Sequence, residues 1–101
     1  MHAEEGQMVQ MWCPGNTANG HVRWWKDIES GERYRLVVNG VMLPDFEDHM
    51  SFDTTTGILT IHDAHLSDSG VYWCSIGFDT KLKVQLTVFG KPQLYMNLYS
   101  H

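Results

Sequence analysis

Apolar and polar residues alternate along most of the chain, and a helical period is nearly absent. In residues 7–13, for example, Val9, Met11 and Cys13 occupy every second position. Because successive side chains of a strand point to opposite faces, this alternation predicts strands with one buried side. The pattern as a whole predicts strands near residues 7–13, 21–27, 33–38, 41–43, 49–53, 57–62, 71–77 and 81–89.

The segments between these strands carry turn residues. Asn39-Gly40 suits a type I′ hairpin, since both central positions of that turn need a positive φ. Turn signals recur about every 8–12 residues, which is typical of a β-sandwich. The sequence therefore predicts an all-β fold of two antiparallel sheets. Only six residues precede Gln7, so we expect any strand before it to be short or missing.

Composition limits the class of protein. With 101 residues, 43% of them apolar and 19% charged, the chain suits one small globular domain. The net charge of −5 and the lack of a basic run argue against a nucleic-acid partner. No apolar stretch reaches membrane-spanning length, and no leader is evident, so we expect a mature or trimmed chain. Residues 91–101 lack clean alternation and are predicted to be a tail leaving a domain of residues 1–90.

The two cysteines, Cys13 and Cys74, are 61 residues apart. No CxxC motif is present, and a four-ligand zinc site needs more partners at closer spacing. The pair is interpreted as one long-range disulfide, which places the domain in an oxidising compartment. Two unrelated reduced cysteines are the alternative.

The sequence offers little for catalysis or metal binding. His62 and His65 form an HxxH motif, but on a strand or turn this spacing does not bring two imidazoles together. The acidic stretch of residues 44–49 lacks the order of a calcium loop, and no serine lies in a GxSxG setting. We therefore predict no enzyme activity, no metal and no cofactor. No N-x-S/T sequon is present, so we expect no N-glycan on the domain.

Three segments together resemble a known family. They are EGQMVQMWC (residues 5–13), VRWWK (22–26) and LTIHDAHLSDSGVYWC (59–74). Over residues 5–90 the chain resembles a variable-type (V-set) domain of the immunoglobulin superfamily. The resemblance implies a Greek-key sandwich, a disulfide between Cys13 and Cys74, and a core that contains Trp24, Tyr72, Leu59 and Asp68. In that reading Tyr72 is the residue of the family's tyrosine corner.

The chain departs from the family pattern at two places. His49 stands where the family usually has an arginine that pairs with the aspartate at position 68. Such a His–Asp pair would respond to pH near neutrality, unless His49 is only a neutral substitute. Phe89-Gly90 follows the last strand instead of preceding it. This argues against an antibody or T-cell-receptor chain and for a germline-encoded receptor.

Two tryptophans stand at positions that face outward. If Trp24 and Tyr72 face the core, alternation turns Trp25 and Trp73 towards solvent. The resemblance places both on the sheet of strands C, C′, F and G that variable domains use for contacts. The predicted protein-binding residues are Arg23, Trp25, Tyr34, Arg35, Trp73, Ser75, Phe78 and Lys83, with Arg33 or Leu36 from C′ and Lys81 from G as further candidates. The alternative is that arginine and lysine stems cover both rings within the monomer.

Exposed apolar patches mark protein contacts more often than other functions. The sequence is therefore interpreted as the extracellular recognition domain of an immune cell-surface receptor. It resembles the ectodomains of T-cell co-receptors, of paired activating or inhibitory receptors and of polymeric-immunoglobulin-receptor-like proteins, and the segments EEGQ, CPGN and NGHVRWW favour a co-receptor-like chain. It is expected to bind a protein on another cell, such as a major-histocompatibility molecule, or to form a homodimer. The tail is interpreted as the start of a stalk towards a membrane span. The alternatives are a homophilic or heterophilic adhesion module and a secreted ligand-binding domain.

Overall fold

The computed structural model describes residues 1–13, 22–28, 30–77 and 82–90. The strands in this part of the chain are β1 (His2–Glu4), β2 (Val9–Trp12), β3 (Val22–Asp27), β4 (Arg33–Val38), β5 (Val41–Met42), β6 (Met50–Asp53), β7 (Ile58–Ile61), β8 (Gly70–Ile76) and β9 (Leu82–Phe89). Short 3-10 helices occupy Pro44–Phe46 and Leu66–Asp68. The predicted tail, residues 91–101, lies outside the described residues.

The strands form two sheets that face each other across the core. One sheet has the order β1-β9-β8-β3-β4-β5, and the other has the order β2-β7-β6. All neighbouring strands are antiparallel except β1 and β9, which run parallel. The all-β, two-sheet prediction is confirmed. Strands β3, β4, β8 and β9 correspond to the predicted C, C′, F and G strands.

Each predicted strand is present, and where its ends fall within the described residues they differ from the prediction by at most two residues; β8 begins and ends one residue earlier than predicted. The first strand was predicted to be short or missing, and it is three residues long. It is held by long-range contacts: Ala3 pairs with Val88, and the Thr87 amide donates to the Met1 carbonyl at 2.9 Å. The type I′ hairpin is also supported, because Asn39 and Gly40 have φ angles of 50° and 77°.

The core lies between the sheets and includes the predicted residues Trp24, Tyr72, Leu59 and Asp68. Trp24, Tyr72 and Leu59 are fully buried, and a disulfide joins Cys13, directly after β2, to Cys74 in β8. The Cα atoms of the two cysteines are 5.8 Å apart, which suits a disulfide. The bridge therefore ties the two sheets together next to their largest side chain. The indole Nε1 of Trp24 has no hydrogen-bond partner among the described residues.

Candidate protein-recognition face

Trp25 and Trp73 are direct neighbours in the larger sheet. The antiparallel register of β3 and β8 pairs them across the two strands. Directly opposed side chains have Cβ atoms about 4.5–5.5 Å apart. On its other side Trp25 pairs with Arg35 of β4, after a β-bulge between Trp24 and Trp25. We call the outer surface of β3, β4, β8 and β9 that carries the two indoles the tryptophan face.

Trp73 is held in place by charged side chains. Its Nε1–H donates a hydrogen bond of 2.9 Å to Oδ2 of Asp27, and Arg33 Nε donates to Oδ1 of the same carboxylate at 2.8 Å. The Arg33 guanidinium carbon lies 4.6 Å from the centre of the Trp73 ring, and Lys83 Nζ lies at 5.9 Å. These are cation–π distances. The alternative of cationic cover within the monomer therefore applies in part to Trp73, which is partly buried.

Asp27 organises this cluster through its charge. The hydrogen bond from Trp73, followed by the contacts with the Arg33 guanidinium, holds the pKa of the Asp27 carboxyl below its ordinary value. The carboxylate therefore stays ionised at neutral pH and accepts both bonds. Because Trp73 and Arg33 each donate to one oxygen of this carboxylate, the contacts favour the orientation in which the Trp73 indole lies.

Trp25 forms the second half of the face. It is partly buried and lines a shallow cavity of about 270 Å³. Arg23 and Arg35 line the same cavity, together with Val37, Val38 and Asn39. The cavity thus combines an indole, two guanidinium groups and apolar backing.

Three predicted contact residues do not contribute to this surface. Tyr34 alternates with Arg33 and Arg35, so its ring points to the opposite side of the sheet and packs against Phe46 at 6.3 Å between ring centres. Leu36 is 1% exposed and belongs to the core. Ser75 is 4% exposed, because a short side chain on a central strand lies below the longer side chains of its neighbours.

Of the other predicted residues, those that the structure describes lie at the face. Arg35 and Lys83 are exposed, and Arg23 is partly exposed. Phe78 and Lys81 lie outside the described residues. Sequence reasoning missed the part played by Asp27, although its position two residues after Trp25 placed it on the same side of the strand.

Sequence reasoning also left the outer surface of the smaller sheet unexamined. Trp12 of β2 is 55% exposed there, and Met8 just before that strand is 62% exposed. The alternation in residues 7–13 was the signal, since it placed both opposite the buried Val9 and Met11.

The turn before β8 is braced by a network around Asp68. His49 Nε2 lies 2.7 Å from Oδ2 of Asp68, and the His65 backbone N–H donates to the same oxygen at 2.8 Å. The Tyr72 hydroxyl donates to the Asp68 carbonyl at 2.6 Å, which is the geometry of a tyrosine corner. Burial raises the pKa of Tyr72 and lowers that of Lys26, whose Nζ donates to the carbonyl of Ser67.

The two histidines of this network, His49 and His65, contact each other through their rings. The His65 ring packs on His49, with 4.6 Å between ring centres, and not on His62. The ligand-capable atoms of His49, His65 and Asp68 lie within 4.8 Å of one another. They already make hydrogen bonds within the turn, so we interpret the cluster as a structural brace.

Comparison with known proteins places this geometry in a family. The immunoglobulin V-set domain family matches residues 1–89, and the chain belongs to it. CMRF35-like molecule 1 of Rattus norvegicus is 27% identical to this chain over an alignment 110 positions long. The alignment covers 88% of this chain and 30% of that protein. The chain thus spans less than a third of the length of that relative.

A solved structure supports the same fold. The first immunoglobulin domain of the mouse polymeric immunoglobulin receptor superposes with a TM-score of 0.70. It is 22% identical, and the match covers 91% of this chain and 90% of that one. The chain is therefore a V-type immunoglobulin domain related to those of immune receptors, a family that is generally not enzymatic. Its described residues include no helix with the length and apolar character that crossing a membrane requires.

Proposed function

We propose that this domain is the extracellular recognition domain of an immune cell-surface receptor and that it binds a protein through the tryptophan face. The observation that carries the proposal is the pairing of Trp25 with Trp73 across two central strands, flanked by arginines. The relation to a receptor domain and the disulfide between Cys13 and Cys74 support an extracellular location.

The composition of the face suits a binding hot spot. Tryptophan and arginine are the residue types most enriched among side chains that dominate binding energy. The face presents two tryptophans and three arginines on neighbouring strands. A typical hot-spot tryptophan loses about 2–4 kcal/mol of binding energy when it is truncated to alanine.

The ordering of the face also favours binding. Side chains that are immobilised on association cost about 0.5–1.5 kcal/mol each. Asp27 and Arg33 hold the Trp73 ring in the free domain, so much of this cost is already met before binding. A partner therefore meets a Trp73 ring that its contacts with Asp27 and Arg33 already orient.

The proposal is tested with tryptophan variants and a tryptophan control. A biotinylated domain assembled into streptavidin tetramers is used to stain a panel of leukocyte lines. Trp25→Ala and Trp73→Ala are expected to weaken staining at least about 30-fold, which corresponds to about 2 kcal/mol. Trp12→Ala removes an exposed tryptophan from the other sheet and is expected to keep staining.

Thermal unfolding confirms that each variant is folded before staining is compared. The proposal is wrong if Trp12→Ala abolishes staining while the two variants of the tryptophan face retain it. The solution mass of the wild type and of the Trp25→Ala/Trp73→Ala double variant distinguishes the mode of binding. A dimer that is lost in the double variant indicates self-pairing, and a monomer in both indicates docking of a different protein.

A further inference from the structure

The charges of the molecule are unevenly distributed. The chain carries a net charge of −5, yet all three of its arginines lie on the tryptophan face. Lys83 of β9 adds a fourth cation above the Trp73 ring. Strands β3, β4, β8 and β9 contain a single acidic residue, Asp27. The face is therefore a cationic region on an anionic protein.

Two of these cations have no carboxylate partner among the described residues. Arg33 is engaged with Asp27, but Arg23 and Arg35 form no ion pair with any other described residue. Both line the shallow cavity beside Trp25. A guanidinium presents several N–H donors in a planar fork that matches the two oxygens of a carboxylate. The cavity thus has the donors for a carboxylate and an aromatic wall next to them.

We propose that the tryptophan face binds a protein partner with an acidic contact surface, whose carboxylate sits between Arg23 and Arg35 beside Trp25. This inference rests on the proposed function and specifies the chemistry of the partner. It also states that the partner is not a second copy of this domain.

Charge disfavours self-pairing through this face. In a two-fold dimer each copy contributes the same patch, so the cations of one copy would meet those of the other. Like charges placed together across an interface cost several kcal/mol. An acidic partner reverses the sign of that interaction, and the net negative charge elsewhere on the domain steers such a partner towards the cationic region.

The apolar part of the cavity favours a protein over a sulfated glycan. The apolar lining that a partner can still cover consists of Val38 and the Trp25 ring, since Val37 is already buried. A highly hydrated polyanion gains little from these groups. A protein side chain or its neighbours can bury them, as aromatic and arginine residues are buried at the centre of protein interfaces.

The test is a titration of the isotope-labelled domain followed by NMR, with hexaglutamate peptide as the probe. A saturable shift is expected at the Trp25 indole N–H and at the side chains of Arg23 and Arg35. Arg23→Gln/Arg35→Gln is expected to weaken the apparent affinity at least about 10-fold, and salt should weaken it further because the contact is between charges. Gln10→Glu/Ser51→Glu lowers the net charge by the same two units on the other sheet and should leave the affinity within about 2-fold.

Three results would overturn the inference. One is the absence of a saturable shift at Trp25, and another is an equal loss in both double variants. The third is tighter binding of a heparin tetrasaccharide at this site, which would assign the face to a glycan. If Arg23→Gln/Arg35→Gln leaves cell staining unchanged while Trp25→Ala abolishes it, the acidic partner is rejected and the proposed protein recognition stands.

Discussion

The two sheets present tryptophan to solvent in different ways. On the larger sheet, Trp73 is partly buried and contacts Asp27, Arg33 and Lys83. On the smaller sheet, Trp12 is 55% exposed, and its side chain makes no hydrogen bond or aromatic-ring contact with another described residue. The more exposed ring is therefore the less organised one.

This difference is why the tryptophan face, and not the more exposed surface around Trp12, is the proposed binding surface. A freely rotating ring loses conformational entropy when a partner fixes it, whereas a ring held by its own protein has already lost it. The tryptophan face also surrounds its rings with charged side chains, which would both attract and orient the proposed partner. These two properties, and not the exposed area, distinguish the face from the surface around Trp12.

The largest expected effect comes from cutting the link between the two sheets. The double variant Cys13→Ala/Cys74→Ala should lower the free energy of unfolding by about 4 kcal/mol, because a bridge over a loop of this length restricts the unfolded chain. Urea denaturation measures the loss, and wild type reduced with dithiothreitol is the control that should match the variant. A loss below about 1 kcal/mol would mean that the sheets are held together by packing alone.

The sequence predicted most of the fold because its main signals are local. Alternation located the strands, and Asn39-Gly40 located a hairpin. Two features were not predictable in this way. The pairing of β1 with β9 joins residues at opposite ends of the chain through only three positions. The bulge between Trp24 and Trp25 changes the register of β3 against β4 without any proline or glycine to mark it.

The candidate site was predictable in outline but not in its contacts. Alternation and the family resemblance put Trp25 and Trp73 on one side of the sheet. The same alternation places Tyr34 on the opposite side from Arg35, so including both in one surface was wrong. The bond between Trp73 and Asp27 joins residues 46 positions apart and depends on side-chain rotamers, which no sequence pattern specifies.

A smaller loss of stability is expected when either Trp73 or Trp12 is replaced by alanine in the free domain. Trp73→Ala should lower the free energy of unfolding by about 2 kcal/mol, since it removes a partly buried ring and leaves Asp27 and Arg33 without one partner. Trp12→Ala should cost less than about 0.5 kcal/mol, as is usual for exposed side chains. Equal losses in urea denaturation would show that the two rings are embedded to the same degree.

The smallest effect is expected when the charge of Asp27, which holds Trp73 and Arg33 together, is removed. Asp27→Asn keeps an oxygen that accepts the Trp73 N–H but removes the charge facing Arg33. Because the pKa of Asp27 is lowered in the folded state, its contribution to stability is present above the ordinary carboxyl pKa and is lost as the pH falls through the lowered value. The difference in unfolding free energy between wild type and variant should therefore stay constant from pH 7 to about 5 and shrink below about 4. Glu47→Gln, which removes an exposed charge from the segment between β5 and β6, is the control. A difference that grows on acidification would contradict the assignment of an ionised Asp27 as the group that holds Trp73.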